Sequence, residues 1–249
     1  MYKDNTTSIA LIIGSSNDAR RASQWPKDVF KYIVAINNAW RIRADWDFLI
    51  HPDDFSPNNK PATITAQQTI ITSDDYVTAQ NALGGVVYAG GTMAFTAGYW
   101  ALHVLKPDIL AFVGCDMVYP SSGNSHFYGQ GQADPLRDDI TLQSLEAKSK
   151  RLQVYAQERH SVCINVTSLA YSRLTFPNID IRTLTQSPHT VLHKLQQVPL
   201  PTNTQDAIKK AKEREQQLGY FAPSGEYWRT LEQFNASELY ELDQLWLNT

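Results

Sequence analysis

At 249 residues, with 43% hydrophobic side chains, 19% charged ones and a net charge of −3, the chain suits one large globular domain, alone or with an appendage. It has no Lys/Arg block or basic stripe, which argues against nucleic-acid binding through phosphate contacts. No stretch reaches the roughly 18 apolar residues of a membrane span, and no secretory pattern opens the sequence, so a cytoplasmic protein is expected.

Ser8 to Ile13 is a continuous apolar run closed by Gly14, the pattern of a parallel strand buried on both faces. Gly14-Ser15-Ser16-Asn17-Asp18 predicts a turn in which Ser and Asn cap a short helix. Phe30 to Ile36 predicts a second strand, ending at Asn37-Asn38. Asp47 to Ile50 predicts a third, ending at His51-Pro52-Asp53, and Thr69 to Thr72 a fourth. Gly84-Gly85 and Gly90-Gly91 bracket Val86-Val87-Tyr88. Thr92 then opens a buried helix that runs to about Leu105, where Lys106-Pro107 stops it. The strand Ile109 to Val113 follows and leads into Gly114-Cys115-Asp116-Met117. Leu142 to Arg159 has helical spacing, with Leu142, Leu145, Leu152 and Tyr155 along one stripe. Ser161 to Val166 predicts a further strand, and Ser168 to Phe176 a loop or short helix. After Pro177 the character changes. Ser187 to Thr204 holds three prolines, Asp206 to Leu218 is a charged helix, and Ala236 to Leu247 an amphipathic one.

Apolar strands that each end in polar residues predict an α/β fold: a Rossmann-like, mostly parallel sheet with helices on both faces. This body is expected over residues 1–180. A helical C-terminal extension over 181–249 packs on it or on a second subunit. Cys115 and Cys163 lie in strand-like runs and read as reduced, buried thiols. No Cys/His spacing of the zinc type is present, so no metal site is expected.

In such a sheet, ligands bind outside the C-terminal ends of the strands. Several candidate residues gather there. Backbone N–H groups of the Gly14 turn can cradle a phosphate. Asn37 and Asn38 offer amides suited to a base edge or a ribose, and equally suited to capping the next helix. His126, within Ser125-His126-Phe127-Tyr128-Gly129, is a candidate acid or base. Asp116 can bind a sugar hydroxyl, orient a catalytic group or cap a turn. His51 and Asp53 are expected to face the same cleft. Arg137 can reach an anion or pair with a neighbouring carboxylate.

The order of these motifs resembles that of the bacterial sialyltransferases of glycosyltransferase family 42. Those belong to a wider group that includes 6-hydroxymethylpterin pyrophosphokinase-like proteins. The family has a G-N-G-P-S turn, a strand ending N-Q, an S-G helix start, an I-D-F-Y strand end and an S-H-Y-I-G loop. Here the corresponding segments are G-S-S-N, N-N, G-T-M, G-C-D-M and S-H-F-Y-G, within residues 8–180.

The resemblance implies a glycosyltransferase-A-like variant of the fold. It also implies a CMP-activated sugar as donor (sialic acid or a related nonulosonic acid), a glycan acceptor, and a reaction without metal or cofactor. His126 takes the general-base position. Gly14, Ser15, Ser16 and Asn17 take the nucleotide turn, with Ser15 where the family has Asn. Asn37 and Asn38 take the second nucleotide contact, Gly91 and Thr92 the helix start beside the donor, and Asp116 the strand end that shapes the site. Tyr128, in the His loop, is a substrate-binding candidate.

The long lid of the family is replaced by Val118 to Asn124, and Tyr119 is the nearest counterpart of the lid tyrosine at the donor phosphate. A shorter loop admits water and favours hydrolysis over transfer. A pyrophosphokinase-like phosphotransferase using Mg²⁺-ATP and a non-catalytic nucleotide-binding relative are the other readings. The family is often oligomeric, and the apolar tail is compatible with a homo-oligomer.

Overall fold

The apolar runs form six strands: β1 (Ile9–Ile13), β2 (Tyr32–Ile36), β3 (Phe48–Ile50), β4 (Thr69–Ile71), β5 (Ile109–Val113) and β6 (Val162–Asn165). In the computed structural model, which describes residues 7–132, 134–197 and 202–249, they make one sheet in the order β4-β3-β2-β1-β5-β6. Every pairing is parallel. The chain builds outward from β1 to β4, then returns to place β5 on the other side of β1. The strand order therefore reverses between β1 and β5, the position where open α/β sheets bind ligands.

Among the described residues, eight α-helices accompany the sheet: α1 (Ser73–Asn81), α2 (Val86–Ala89), α3 (Met93–Val104), α4 (Leu145–Gln157), α5 (Ile181–Gln186), α6 (Pro188–Gln196), α7 (Thr202–Leu218) and α8 (Ala236–Leu247). The two-residue side-chain period sends alternate strand residues to opposite faces. Ala10 and Ile12 of β1 join Leu110 and Phe112 of β5 beneath α1, α3 and α4. Ile9, Leu11 and Ile13 join Ile109, Ala111 and Val113 on the other face. There they meet Ala19 and Ala22 of the 3-10 helix Asn17–Gln24, Leu184 of α5 and Val191 of α6. Helices thus cover both faces, as the apolar strands require. Leu184 and Val191 lie beyond residue 180 yet are buried on this sheet.

A third apolar cluster joins α7 and α8 to α2 and α4, through Val87, Tyr88, Val154, Ala211, Leu242 and Trp246. At its centre is a buried ion pair. The Arg151 guanidinium donates to both Glu215 carboxylate oxygens, from Nε at 2.6 Å and Nη2 at 2.9 Å. It also donates to Tyr99 Oη at 2.9 Å and to the Leu83 carbonyl at 2.8 Å. Trp246 Nε1 donates to Glu215 Oε1 at 2.9 Å, which ties α8 into the same network. The Arg151 side chain is 2% exposed and that of Glu215 7%, so neither charge can be hydrated if the other is lost. No helix among the described residues is long and apolar enough to cross a membrane.

Glu215→Ala is expected to lower stability by about 3–5 kcal/mol in urea denaturation, because it strands the Arg151 charge. The double variant Arg151→Met/Glu215→Leu should lose less than the single one. Additive losses would show that the pair does not act as a unit.

Candidate functional site

Each strand that flanks the reversal is followed by a glycine, and the two backbones touch there. Gly14 N–H donates to the Val113 carbonyl at 2.8 Å, and Ser16 N–H to the Gly114 carbonyl at 3.1 Å. A Cβ on Gly14 would lie 2.3 Å from the Gly114 oxygen. One on Gly114, whose φ is +69°, would lie 2.4 Å from Ala19 Cβ. This packing brings the start of the 3-10 helix Asn17–Gln24 over the end of β5. Ser16 is its N-cap residue, but its side chain makes no capping bond, contrary to the expectation from sequence.

The loop after β5 folds back onto the same turn. Phe127 N–H donates to the Ser15 carbonyl at 2.9 Å, Arg20 Nη2 donates to the Phe127 carbonyl, and Asn17 Nδ2 reaches the Asn124 carbonyl at 3.4 Å. His126 and Gly129 exchange both backbone hydrogen bonds at 3.0 Å, closing a tight turn around Phe127 and Tyr128. A short loop thereby fixes His126 over the end of the sheet. The cleft beneath it has a volume of about 140 Å³. Gly14, Ser15, Ser16, Asn37, Thr92, Tyr119, His126 and Tyr128 all line it, from five separate stretches of sequence. Met93, Cys115, Met117, Gln132 and Asp134 also line it and were not evident from sequence.

The His126 ring stacks on Tyr128, with centroids 5.0 Å apart, and lies 5.7 Å from the Tyr119 ring. Ser125 Oγ accepts from Gly131 N–H at 3.0 Å, donates to the Gly131 carbonyl at 3.0 Å and lies 2.8 Å from His126 Nδ1. One assignment satisfies all three contacts: Nδ1 carries the proton and donates to Oγ, leaving the Nε2 lone pair free. No hydrogen bond among the described residues involves Nε2. Burial lowers the His126 pKa, so the neutral ring prevails at neutral pH. Gly131 packs on the ring, and a Cβ there would sit 2.7 Å from Nδ1. Burial raises both the Tyr119 and the Tyr128 phenols, with the Asn38 side chain and the Arg41 charge opposing the rise at Tyr128. Both stay protonated and able to donate.

Among the described residues, Ser16 Oγ and Asn37 Oδ1 in the cleft lining, and Oδ1 of the adjacent Asn38, are buried without a hydrogen-bond partner. Buried polar atoms are seldom left this way, since each unmade bond costs about 1–3 kcal/mol. Asn37 is also held at φ +51°, an uncommon conformation for any residue but glycine.

Other candidates lie elsewhere. Asp116 is fully buried and outside the cleft. It accepts from Asn165 Nδ2 at 3.1 Å and Thr167 Oγ1 at 3.2 Å, and so ties the end of β5 to β6 and the chain after it. Asn17 and Asn38 do not line the cleft. Gly91 and Asp53 line a second, larger cavity that shares Thr92, Met93 and Asp134 with the first. His51 lines neither; it is buried against Phe55, with ring centroids 5.1 Å apart. Arg137 pairs with Asp134 at 3.1 Å and Asp139 at 2.9 Å. Cys115 and Cys163 are free, buried thiols that burial makes harder to ionise. The D-x-D triplet Asp45-Trp46-Asp47 leads into the N-terminal end of β3, the edge opposite the cleft. Arg43 and Lys27 hold its two carboxylates.

Comparison with protein-family models, curated proteins and solved structures finds no match to this chain. Its chemistry is therefore read from these residues.

Gly14→Ala should destabilise the fold by about 1–3 kcal/mol, because the obstacle is backbone and has to move. Urea denaturation measures this; an unchanged midpoint would mean that β1 and β5 do not meet as described.

Proposed function

We propose that the chain is a glycosyltransferase-like enzyme that carries a sugar from a CMP-activated donor to a glycan hydroxyl. One observation carries this reading: the Gly14 turn, Asn37, Thr92, Tyr119 and His126 share one cleft at the reversal of strand order. They are the elements that the resemblance assigns to nucleotide, donor and base. The cleft alone is smaller than the roughly 300–1,000 Å³ of ordinary small-molecule sites. A nucleotide sugar would fill it and reach Thr92, where the larger cavity begins and leaves room for an acceptor.

Each residue then has a definite task. The unpartnered oxygens of Ser16 and Asn37 accept hydrogen bonds from the nucleotide. Ser15 N–H, which donates to no protein group among the described residues, points to a phosphate role at a helix start. His126 Nε2 removes the proton from the acceptor hydroxyl. The acceptor oxygen bonds to the anomeric carbon as the bond from that carbon to the CMP phosphate breaks. The departing phosphate accepts hydrogen bonds from the protonated Tyr119 and Tyr128 phenols and from backbone N–H. Ser125 keeps the Nδ1–H tautomer in place.

His126→Ala should reduce turnover by about 10²–10⁴-fold, with CMP affinity by calorimetry nearly unchanged. Wild-type turnover in the variant would remove His126 from the mechanism. Calorimetry should also show CMP binding more tightly than ATP. Tighter, Mg²⁺-dependent ATP binding would instead support the phosphotransferase reading.

The pH profile follows from the burial of His126. The neutral ring is the active form, so activity rises with pH through the His126 pKa. Because that pKa is lowered, the acid limb should fall below about 6.5, the ordinary imidazole value. A limb above that value would contradict the assignment.

A further inference from the structure

The larger cavity has a volume of about 1170 Å³, above the roughly 300–1,000 Å³ usual for small-molecule sites. Its walls come from the loop after β3, helix α1, the stretch from α2 into α3, the segment 134–140 and the turn between α7 and α8. Its chemistry differs from that of the cleft at His126. Asp53, Asp54, Asp138 and Glu232 line it, and none of these four has a cationic partner among the described residues. Arg137, the cationic side chain in its lining, is already held by Asp134 and Asp139.

Asp53 and Asp54 add to burial in raising the Tyr76 phenol to about 12, so their field reaches the cavity wall. Among the described residues, no three His, Cys, Asp or Glu side chains come together as a metal would require. The negative charge is spread over the walls, which suits an extended organic cation.

Two further observations point to a ligand. Gln80 lines the cavity and is 1% exposed. Its Nε2 donates to the Ala89 carbonyl at 3.2 Å and Thr96 Oγ1 at 3.1 Å, yet its Oε1 accepts nothing from the described residues. That oxygen needs a donor such as a hydroxyl or an ammonium. Trp228 also lines the cavity and is 58% exposed. A tryptophan face beside carboxylates attracts cations and covers the apolar face of a sugar.

We infer that this cavity is the acceptor arm of the site, and that the acceptor is an amino-sugar saccharide carrying free ammonium groups. The inference rests on the glycosyl-transfer reading for the saccharide; the cavity itself supplies the preference for positive charge. An anionic donor is repelled from these walls and stays at the Gly14 turn. A cationic acceptor is drawn in from the other side, and the shared residues Thr92, Met93 and Asp134 mark where the two meet.

Calorimetry of the full chain with fully deacetylated chitotetraose, its N-acetylated counterpart and tetralysine tests this. The deacetylated tetramer should bind about tenfold more tightly than the acetylated one, and more weakly as ionic strength rises. Trp228→Ala and Glu232→Gln, both at exposed positions, should each weaken it by about tenfold, with near-UV circular dichroism confirming the fold. Equal or tighter binding of the acetylated tetramer would overturn the charge preference. Indifference to both variants would overturn the location. Tetralysine binding as tightly as the saccharide would overturn the saccharide in favour of a basic peptide. CMP titrated into the same wild-type sample separates the two claims. CMP binding without amino-sugar binding sinks this inference alone, whereas amino-sugar binding without CMP sinks the nucleotide-sugar reading.

Discussion

The carbonyl of Gly114 and the backbone of Gly14 approach so closely that a methyl group at Gly14 would sit 2.3 Å from the oxygen. That approach extends the β1–β5 pairing beyond the strands, at the one place where the strand order reverses. It brings the turn after β1 and the loop after β5 into contact, and Phe127 locks them together through the Ser15 carbonyl. Without it, the turn that offers backbone N–H groups and the loop that offers His126 would be separate surface features. The steric constraint at two glycines is therefore what makes a site out of two loops.

A polarity gradient follows from the same arrangement. Among the described residues, the walls beside His126 carry hydroxyls, amides, phenols and unpaired oxygens, with Asp134 as their carboxylate. Past Thr92 they become acidic and aromatic. The two regions meet at residues common to both, so in the proposed reaction donor and acceptor would approach from opposite ends. His126, its tautomer fixed by Ser125 and its rotation limited by Gly131 and two tyrosines, lines the polar end of this path. In the proposed role, a base held this way would lose little freedom when substrate arrives.

Much of this was legible in the sequence, for a physical reason. Strands buried on both faces have to be continuously apolar, so β1 and β5 announced themselves, and their polar ends marked the edge that binds. The amphipathic helix α8 was equally plain. Helix α1 was not. It buries only Ala79 and Gln80, so no apolar stripe betrays it, and a capping box at Thr72 and Asp75 was the available clue. Helix α6 hid behind Pro188, which begins the helix rather than breaking it. Asp116 looked like a site residue because it follows a strand that ends at the cleft. Its side chain instead serves Asn165 and Thr167, a pairing across about fifty residues that spacing does not reveal. The acidic cavity was invisible for the same reason: its carboxylates come from distant segments, around Asp53, Asp138 and Glu232, each of which reads as an ordinary polar loop.

The central claim is that the Gly14 turn, Asn37 and His126 form one nucleotide site. Its most direct test is an NMR titration of the isotopically labelled chain with CMP, following the backbone amides and the His126 ring nitrogens together. One set of shifts should develop at Gly14, Ser15, Asn37, Gly114 and His126 with a single apparent affinity, with the Nδ1–H tautomer present before CMP is added. Shifts confined to another face of the protein, or a His126 ring that ignores CMP while the Gly14 turn responds, would contradict it.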